Sequence, residues 1–427
     1  MNLFNKRMIQ IAQQIHQNGG ELYLVGGAVR DYLRNQQPHD MDFCVTGLSS
    51  EAFLFLFPNA KLQGKAFPVF VMGGNEFALA RTEKKIGQKH TDFEIHIEKS
   101  ISIEEDLKRR DITINSMAIK VLSEELVDPF GGKKDLENHV IRKTSNAFFE
   151  DPLRAYRAAR FASSFGFDVT DDTLLTMSQM KNELIQLSKE RVFTEFRKAL
   201  VSDHPSTFFI VLQKAKLLDV HFTELYNLIG VEQPLPYHPE GDAYTHSLEV
   251  LEKVAVLTPN AQIDLDEELT RFCALVHDFG KAATPHNEWP KHIGHEQRGI
   301  ELVHDFCTRI NAPNKFEKAG KLTSLLHMKA GNYTALKPST KVRMFEQISS
   351  SRSISFEGIE MIAKADSKNK NLSFARIAHE VMKINATEEM KQKCTLENGM
   401  INFEKLKEML LNKRCQFIKQ EEKEEKS

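Results

Sequence analysis

The pattern of apolar and polar positions changes once along the chain, near residue 150. Before that point, short apolar runs of strand length predominate. Glu21 to Val25 ends in two glycines, and Phe67 to Met72 and Asn75 to Arg81 flank Gly73-Gly74, a typical hairpin signal. Beyond it, apolar residues recur at helical spacing almost throughout. The pattern therefore predicts an α+β sheet region followed by an all-helical remainder.

The same pattern predicts several individual elements. Met1 to Ile15 has the spacing of an amphipathic helix, and Ala118 to Val127 has the character of a strand. The charged, glycine-containing stretch Glu83 to Asp92 is typical of a mobile loop. The last fifteen residues are rich in Glu and Lys, which predicts a solvated and frayed tail.

Length and composition narrow the class of protein. A chain of 427 residues is expected to form about two to four domains. Its formal net charge of −2 neither requires nor excludes a nucleic-acid partner. Five scattered cysteines without a C-x-x-C pair favour a reducing compartment and argue against a thiolate zinc site. Because no window is apolar enough for a membrane span and the N-terminus lacks a signal-peptide pattern, we expect a cytoplasmic protein without a membrane partner.

A strand-to-helix turn near the start of the chain carries the first candidate site. Gly26-Gly27 follows the apolar strand and precedes Arg30, and such a turn lets backbone N–H groups approach a phosphate. Asp40 and Asp42 follow shortly afterwards. On a strand their carboxylates would face the same side and favour a divalent metal ion between them. Each feature alone also fits an ordinary turn or a solvated strand edge, whereas the combination indicates phosphoryl or nucleotidyl transfer.

Two further polar runs lie in the first half of the chain. The run from Lys108 to Asp111 leads to Asn115. It is either a solvated basic turn or a grip in which arginine binds phosphate and Asn115 binds a ribose hydroxyl. Asp151 is a good N-cap for the helix that follows it. Capping leaves Arg154 and Arg157 unexplained, and an Asp and an Arg one turn apart can present hydrogen-bonding edges to a base.

A second constellation lies in the helical half. His246, the adjacent pair His277-Asp278, and Asp366 have the order H…HD…D. An adjacent His-Asp on an apolar helix is costly to bury unless it binds a metal or is paired. Imidazole and carboxylate together suit a transition metal or magnesium that activates water. Each histidine by itself is more often structural than a ligand, so the inference depends on the whole pattern.

The motifs of the first half match a known family. The runs LVGGAVRD with DMD, RRDITIN, DPFGG, EDPLRAYRAARF and KERV, in this order over the first 200 or so positions, resemble class II tRNA nucleotidyltransferases. These are the CCA-adding enzymes, which share this head with bacterial poly(A) polymerases. The resemblance implies an α+β fold with a polymerase β-like sheet domain, an all-α neck and body, and an all-α HD domain.

The resemblance also implies a role for each candidate residue of the head. It implies catalytic ligands for Mg²⁺ at Asp40 and Asp42, nucleotide-binding residues Gly27, Arg30, Arg110 and Asn115, and a protein template for the incoming base formed by Asp151 and Arg154 with Arg157 nearby. In that mechanism one metal lowers the pKa of the tRNA 3′-hydroxyl and the other neutralises the triphosphate, so that attack on the α-phosphorus releases pyrophosphate.

The second half resembles the HD phosphohydrolase domain of gammaproteobacterial CCA-adding enzymes. The similarity lies in the H…HD…D set with Gly280-Lys281, in Tyr237 to His246, and in Trp289 to His295. It implies metal-dependent 2′,3′-cyclic phosphodiesterase, 2′-nucleotidase and phosphatase activities on RNA ends, with Ni²⁺ or Mg²⁺ as the candidate ion. The implied ligands are His246, His277, Asp278 and Asp366, with His295 and His327 as outer-site or substrate-contacting residues.

The expected organisation is a nucleotidyltransferase head over residues 1–140, a helical neck and body over 141–232, an HD domain over 233–370 and a C-terminal helical tail over 371–427. The expected partners are tRNA, CTP and ATP, and the protein is expected to be a monomer or a homodimer.

Three alternatives remain open at the level of sequence. The first is a bacterial poly(A) polymerase, against which stand the intact H…HD…D set and the near-neutral charge. The second is an enzyme that adds only CC or only A. The charged stretch Glu83 to Asp92 argues against a CC-only enzyme, because it lies where the family keeps a loop needed for A addition. The third is a non-catalytic RNA-binding module, which would gain nothing from acids that face phosphates.

Overall fold

The computed structural model describes residues 3–38, 40–64, 68–85, 93–96, 98–236, 239–260, 265–367 and 371–424. The chain divides into two compact units. The first comprises Met1–Leu187 and Thr207–Leu217, and the second comprises Ser188–Ser206 and Leu218–Ser427. The four-part organisation expected from the sequence stays a prediction.

The strands of the described residues are β1 (Glu21–Val25), β2 (Asp42–Thr46), β3 (Lys61–Gln63), β4 (Val69–Met72), β5 (Asn75–Leu79), β6 (Thr82–Lys85), β7 (Phe93–His96), β8 (Ala118–Lys120), β9 (Leu126–Val127), β10 (Val140–Ile141) and β11 (Asp168–Val169). The helices up to the end of the first half are α1 (Lys6–Gln17), α2 (Gly27–Leu33), α3 (Ser50–Leu56), α4 (Ile103–Lys108), α5 (Gly132–Glu137), α6 (Leu153–Phe165), α7 (Asp171–Gln179), α8 (Lys181–Leu184), α9 (Lys189–Leu200) and α10 (Pro205–Lys214).

The remaining helices are α11 (Leu218–His221), α12 (Thr223–Tyr226), α13 (Ala243–Leu257), α14 (Glu267–Val276), α15 (His295–Ile310), α16 (Asn314–Gly331), α17 (Pro338–Ser351), α18 (Phe356–Asp366), α19 (Ala375–Lys383), α20 (Glu388–Lys393) and α21 (Phe403–Glu424). Short 3-10 turns lie at Thr113–Asn115, Asn146–Glu150, Thr258–Asn260, Phe279–Ala283, His286–Glu288 and Tyr333–Ala335. None of the described helices combines the length and apolar character needed to cross a lipid bilayer.

A seven-stranded sheet with the order β3-β4-β5-β2-β1-β8-β9 forms the centre of the first unit. Strands β2 and β5 are parallel, and the other neighbours are antiparallel. Both faces of β1 are covered: Leu22 and Leu24 belong to one apolar cluster, and Tyr23 and Val25 belong to another. A strand covered on both faces is apolar at consecutive positions, as β1 is from Leu22 to Val25, which is why this run is so clear in the sequence.

The α+β class and several elements are confirmed. Strand β1 has its expected bounds, and β4 and β5 form the expected hairpin at Gly73-Gly74, whose φ angles of +61° and +82° favour glycine. The N-terminal amphipathic helix is present as α1, which begins later than expected because Asn5 caps it by accepting a hydrogen bond from the Met8 amide. A small parallel pair, β10 with β11, adds strand structure beyond residue 150.

Three expectations about local structure are wrong. The run from Ala118 to Val127 is a hairpin of β8 and β9, whose turn places Glu124 at φ +55°. Within the expected loop Glu83 to Asp92, residues 83–85 belong to β6 and pair with β7, and 86–92 lie outside the described residues. The C-terminal tail is helical to Glu424 and packed, since Ile418 is fully buried and Arg414 donates to the Ile384 carbonyl.

The second unit is a set of helices around an aromatic core. The rings of Phe196, Phe272 and Phe306 pack within 6.4 Å of one another. Glycines let α15 come very close to its neighbours: a Cβ on Gly280 would lie 1.9 Å from the His295 carbonyl oxygen, and a Cβ on Gly299 would lie 2.1 Å from Ser324 Oγ. This close packing determines where the first residue of α15 is placed.

Candidate functional site

The first candidate site begins at the turn between β1 and α2. Gly26 has φ +72°, and a Cβ there would lie 2.9 Å from Arg110 Nη1. A Cβ on Gly27 would lie 3.3 Å from Arg30 Nη2. The two glycines therefore permit two arginine side chains to lie directly over the backbone at the start of α2, where N–H groups point outward.

Asp40 and Asp42 are both exposed beside this turn, but only Asp42 belongs to a strand. The expectation that both lie on one strand is wrong, because the ladder between β1 and β2 ends at the pair Val25–Asp42 and β1 then turns at Gly26. Desolvation by the surrounding protein raises the pKa of Asp42; Arg110 opposes this rise and Asp40 adds to it. A site that disfavours a second negative charge is one that a divalent cation would stabilise.

A third carboxylate, Glu76, was not identified from the sequence. It lies on β5 in register with Asp42, and β2 and β5 are parallel neighbours, so both residues are on the same face of the sheet. Its signal is the strand register, which no local motif reveals.

Arg30 and Asn115 are brought together. Arg30 donates to Asn115 Oδ1 at 2.6 Å and to Asp31 Oδ1 at 2.9 Å, and its guanidinium lies 4.8 Å from the Phe165 ring centroid at the end of α6. All three guanidinium nitrogens are engaged, Nε and Nη2 by Asp31 and Nη1 by Asn115, and these contacts fix the plane of the group. The predicted phosphate and ribose residues thus form one hydrogen-bonded group.

Asp111 connects this group to α6. The carboxylate is 7% exposed and accepts from Arg157 Nε at 2.8 Å, from the Ile112 amide at 2.9 Å and from Asn115 Nδ2 at 3.4 Å. Burial alone would raise the pKa of Asp111, but Arg157, Arg154 and the amide outweigh burial and lower it. Sequence reasoning did not give Asp111 a role, although its position in the basic run was a usable signal.

Arg110 is positioned in a similar way by a residue that the sequence did not single out. Asp106 is 1% exposed and contacts Arg110 Nη2 at 3.3 Å and Arg109 Nη2 at 2.8 Å. Burial would raise the pKa of Asp106, but the arginines lower it. The Asp106 carboxylate therefore stays charged and holds Arg110 above Gly26.

Asp151 and Arg154 lie at the start of α6, as expected. Asp151 Oδ1 accepts from the Leu153 amide at 3.0 Å, so the carboxylate caps the helix, and Arg154 Nη1 donates to the Ala147 carbonyl at 2.7 Å. Arg154 is 9% exposed. The two side chains are thus held in place by local hydrogen bonds at one end of α6.

The second candidate site brings the whole H…HD…D set together. His246 Nε2 lies 3.0 Å from Asp366 Oδ1 and 3.6 Å from Asp278 Oδ2. His277 Nε2 lies 3.3 Å from Asp278 Oδ2 and 3.8 Å from Asp366 Oδ1. One residue of α13, the two residues directly after α14, and the last residue of α18 therefore meet at one point. His246 and Asp366, the outermost of them in the chain, are 120 positions apart.

The atoms at this point fit a metal ion. His277 Nε2 and both carboxylate oxygens of Asp278 are buried and, among the described residues, make no hydrogen bond of acceptable geometry. Burial lowers the pKa of His277, but Asp278 and Asp366 outweigh burial and raise it to about 10. The group thus binds positive charge strongly, and a divalent ion would supply it better than a proton.

The far ring nitrogens of the two histidines are held by other groups. His246 Nδ1 lies 2.7 Å from Glu240 Oε1, and His277 Nδ1 lies 2.8 Å from the Ala274 carbonyl oxygen. Partners of this kind fix the tautomer and the ring plane of a metal-binding histidine. Glu240 was not identified from the sequence, since nothing local distinguishes it from a surface acid.

Three more polar residues surround Asp278. His295 and His327 approach its Oδ1, and Lys281 Nζ lies 2.5 Å from Oδ2 and 2.6 Å from Gln233 Oε1. A cavity of about 460 Å³ opens onto Asp278, Lys281 and the two histidines. A buried metal group beside a cavity that contains a cationic side chain is suited to hydrolysis of a phosphate ester.

Comparison with known proteins agrees with two candidate sites in two different domains. Residues 22–142 match the model of the poly A polymerase head domain, residues 166–228 match that of a probable RNA and SrmB-binding site of polymerase A, and residues 243–343 match that of the HD domain. The apo structure of a CCA-adding enzyme is similar to this chain with a TM-score of 0.65 at 19% identity, over 96% of this chain and 93% of that one. That similarity supports the fold.

Two relatives found by sequence have higher identity to this chain than that structure has. A multifunctional CCA protein of Haemophilus influenzae (strain PittGG) is 37% identical over 414 residues, which cover 94% of this chain and 98% of the relative. A multifunctional CCA protein of Shewanella frigidimarina (strain NCIMB 400) is 42% identical over 334 residues, which cover 77% of this chain and 78% of the relative. The chain therefore belongs to the family of multifunctional CCA proteins, CCA-adding tRNA nucleotidyltransferases that carry an HD phosphohydrolase domain.

Proposed function

We propose that the first unit adds CCA to the 3′ end of tRNA from CTP and ATP, with Asp40 and Asp42 as the metal ligands of the reaction. One observation carries this assignment: two exposed carboxylates lie beside a glycine turn over which Arg30 and Arg110 are held. Mg²⁺ ions held by these carboxylates would lower the pKa of the attacking hydroxyl and neutralise the triphosphate. Two ions, one for each task, are part of the proposal, and Glu76 is a further ligand candidate.

The remaining residues of the head bind the nucleotide. The Gly27 backbone and the Arg30 guanidinium would contact the triphosphate, Arg110 would bind phosphate, and Asn115 would bind the ribose. The hydrogen bond from Arg30 to Asn115 supports this division, because it places a phosphate ligand and a ribose ligand next to each other. Pyrophosphate would then leave toward the arginines, which stabilise its charge.

Base selection is assigned to Asp151 and Arg154, with Arg157 in support. Cytosine and adenine both carry an amino donor beside a ring-nitrogen acceptor, which complements a carboxylate and a guanidinium. Uracil and guanine carry a carbonyl where the amino group would be, so a buried polar group would be left unpaired. The position of both residues at one end of α6, where local hydrogen bonds hold them, supports this proposal.

The second unit is proposed to hydrolyse 2′,3′-cyclic phosphates and 2′-phosphates at RNA ends. His246, His277, Asp278 and Asp366 would hold a divalent ion that supplies an activated water. A set with two imidazoles favours Ni²⁺ over Mg²⁺. Glu240 orients His246, and Lys281 lines the cavity where a phosphate would bind.

The decisive experiment uses a tRNA that lacks its 3′ CCA, incubated with CTP alone, ATP alone or both, with products resolved at single-nucleotide length. Two additions with CTP and a third only when ATP is also present, followed by a stop, are expected. A long ladder with ATP alone would identify a poly(A) polymerase and contradict the proposal. The same protein incubated with a 2′,3′-cyclic phosphate tests the second unit, and sedimentation tests whether it is a monomer or a homodimer.

A further inference from the structure

Four arginine guanidinium groups gather on two phenylalanine rings where α2 meets α6. The rings of Phe161 and Phe165 lie one turn apart on α6, nearly parallel at 8°, with centroids 6.1 Å apart. We propose that the arginine–phenylalanine cluster binds the phosphate backbone of the single-stranded RNA end that supplies the attacking hydroxyl. The inference rests on the proposed addition of nucleotides to tRNA and names a contact of that site with the RNA strand. The cluster comprises Arg30, Arg34, Arg157, Arg160, Phe161 and Phe165.

The two rings orient the guanidinium groups. A guanidinium that lies over an aromatic ring is attracted by the ring quadrupole and keeps its N–H donors in its own plane. Those donors then point outward past the edge of the ring, where phosphate oxygens can accept from them. The distances from guanidinium carbon to ring centroid are 4.0 Å for Arg160 and 5.5 Å for Arg157 on Phe161, and 4.6 Å for Arg34 and 4.8 Å for Arg30 on Phe165.

The cations of the cluster are compensated unequally. Arg30 pairs with the Asp31 carboxylate at 2.9 Å, whereas Arg34 donates at 3.3 Å to Gln36 Oε1, an amide oxygen without formal charge. Burial lowers the pKa of Arg30 and Asp31 opposes this effect, while Arg34 and Arg160 lower the pKa further. The positive potential of these two arginines therefore reaches Arg30, and a polyanion would relieve it.

Arg34 is separated from the proposed triphosphate site. Helix α2 begins at Gly27, where the nucleotide phosphates are proposed to bind, and Arg34 is the C-cap at the other end of the helix. Arg34 lies one turn beyond Arg30, about 6 Å along the helix axis. On α6, Arg160 follows Arg157 by three residues. A second row of guanidinium groups therefore extends away from the glycine turn, as expected for contacts with a strand that carries one phosphate per nucleotide.

The end of α2 also leads to the proposed metal ligands. Six positions separate Arg34 from Asp40, so even a fully extended connection would span at most about 22 Å. A strand whose terminal hydroxyl lies at Asp40 and Asp42 would therefore pass the cluster within a few nucleotides. The nucleotide would bind at the first turn of α2 and the RNA strand at its last.

The chemistry of the cluster fits an RNA end of variable sequence. Arginines and aromatic rings that follow a backbone bind single strands with little regard to sequence. Phosphate contacts position a strand and carry no information about its bases. Such contacts suit an enzyme that must accept many tRNAs with different acceptor ends.

The test measures the binding of a tRNA that ends before its CCA, without nucleotides and in EDTA, by fluorescence anisotropy over a series of salt concentrations. We expect R34Q to lower the affinity about 10-fold. The slope of log K against log salt should become less steep by about 0.7, the value for one phosphate contact on a single strand. R34K keeps the charge and should keep the slope, and the KM for CTP should be unchanged in both variants.

Two controls accompany R34Q. The matched control R7Q removes the charge of an exposed arginine on α1 in the same unit and should leave the affinity and the slope unchanged. A tRNA trimmed until no unpaired 3′ nucleotide remains should bind the wild-type protein and R34Q equally. R160Q repeats the test should R34Q fail to fold, as judged by its circular dichroism.

Four results would overturn the inference. Unchanged affinity and slope in folded R34Q, with lower stability in urea, would mean that Arg34 only stabilises the C-terminus of α2. An equal loss of affinity in R7Q would indicate a general effect of net charge. A higher KM for CTP with unchanged tRNA affinity would assign Arg34 to the triphosphate, and a 10-fold loss on the trimmed tRNA would place the contact on the duplex.

The proposed function and this inference can fail separately. Weaker tRNA binding by R34Q, in a protein whose wild type adds no CCA, would contradict the proposed function and leave the RNA contact standing. Addition of CCA by a wild type whose tRNA affinity equals that of R34Q would do the reverse.

Discussion

At the scale of single residues, the two sites use carboxylates in opposite environments. Asp42 is exposed at the start of β2, whereas Asp278 is 1% exposed and surrounded by imidazoles. An exposed pair exchanges ions freely with solvent, which suits a site where metal arrives with a nucleotide. A buried group of imidazoles and carboxylates would release a bound ion slowly, so chelators are expected to act more slowly on the HD domain than on the head.

Asp111 provides a stability prediction at the same scale. Replacing Arg157 by Leu removes its principal cation and leaves a buried carboxylate poorly compensated. We expect the free energy of unfolding to fall by about 2–3 kcal/mol, less than for a fully buried pair because Arg157 is partly exposed. Urea unfolding measures this change.

The double variant D111N/R157L is the matched control for R157L. Because it removes the charge along with its partner, it should regain part of the lost stability. Equal destabilisation in both variants would show that the pair contributes through packing alone.

His221 provides a pH prediction. Burial, with a contribution from Arg309, lowers the pKa of His221 to about 4 in the folded protein. A histidine in the unfolded chain has a pKa of about 6.5. The unfolded chain therefore binds more protons than the folded chain between these pH values. The stability that neutral His221 contributes to the folded state is present above pH 6.5 and is lost as the pH falls toward 4. Between pH 7 and pH 5 we expect the wild-type protein to lose about 2 kcal/mol more stability than H221Q.

Urea unfolding of both proteins at the two pH values measures this difference. The other titrating groups are shared, so they cancel in the comparison. Parallel pH profiles for wild type and H221Q would contradict a depressed pKa at this position.

At the scale of elements, the sites are built where elements end. The first lies where β1 turns into α2 and where β2 begins, and the second lies where α14 ends and α15 begins. Helix starts and strand ends expose backbone groups that regular pairing would otherwise use. The 3-10 turn Phe279–Ala283 is the element on which the second site depends most, because it separates Asp278 from the start of α15.

Gly280 is therefore a sensitive position. In G280A the new Cβ would meet the His295 carbonyl oxygen at 1.9 Å and the Gly299 amide nitrogen at 2.6 Å, so α15 must move away. We expect loss of hydrolysis of 2′,3′-cyclic phosphate by about 100-fold or more, since misplacement by about 1 Å has that effect. Nucleotide addition in the same preparation should change little.

The matched control is G399A. Gly399 has open space around its Cβ position but a φ of +79°, so substitution there causes local strain without a clash. Equal loss of hydrolysis in G280A and G399A would mean that general destabilisation, rather than movement of α15, explains the effect.

At the scale of the whole molecule, the two candidate sites lie in separate units. The head residues and α6 belong to the first unit, and every residue of the HD site belongs to the second. Within each unit the functional residues come from distant parts of the chain, such as Arg30 with Asn115 and His246 with Asp366. The activities are therefore expected to fail one at a time.

Paired variants test this separation. D42N should lower nucleotide addition by about 100-fold or more while hydrolysis of a 2′,3′-cyclic phosphate persists, and D278N should do the reverse, because each removes a charge that only its own site uses. Both activities are measured on one preparation of each protein, with E51Q as an exposed-carboxylate control for the first unit. Loss of both activities in a folded single variant would contradict two independent sites.

The sequence by itself determined the elements with strong local signals. The apolar strand β1, the hairpin at Gly73-Gly74 and the helical second half follow from periodicity and turn chemistry, which act over a few residues. It also determined most candidate residues, since His277-Asp278 and the glycine turn are contiguous. The local errors have the same origin: Asp40 and the run from Ala118 to Val127 look like strand, but pairing decides where a ladder ends.

Only the tertiary structure decided which residues meet. The register of β2 and β5 places Glu76 beside Asp42, and the packing of Gly280 brings His295 close to Asp278. The hydrogen bonds of Asp111 join Asn115 to Arg157 on α6. These contacts depend on the close approach of elements far apart in the chain, whose free energy comes from burial and packing rather than from local propensity. The burial of Ile418 in the C-terminal helix was not predicted for the same reason. A charged run shows which residues are solvated, but it does not show which single residue is buried.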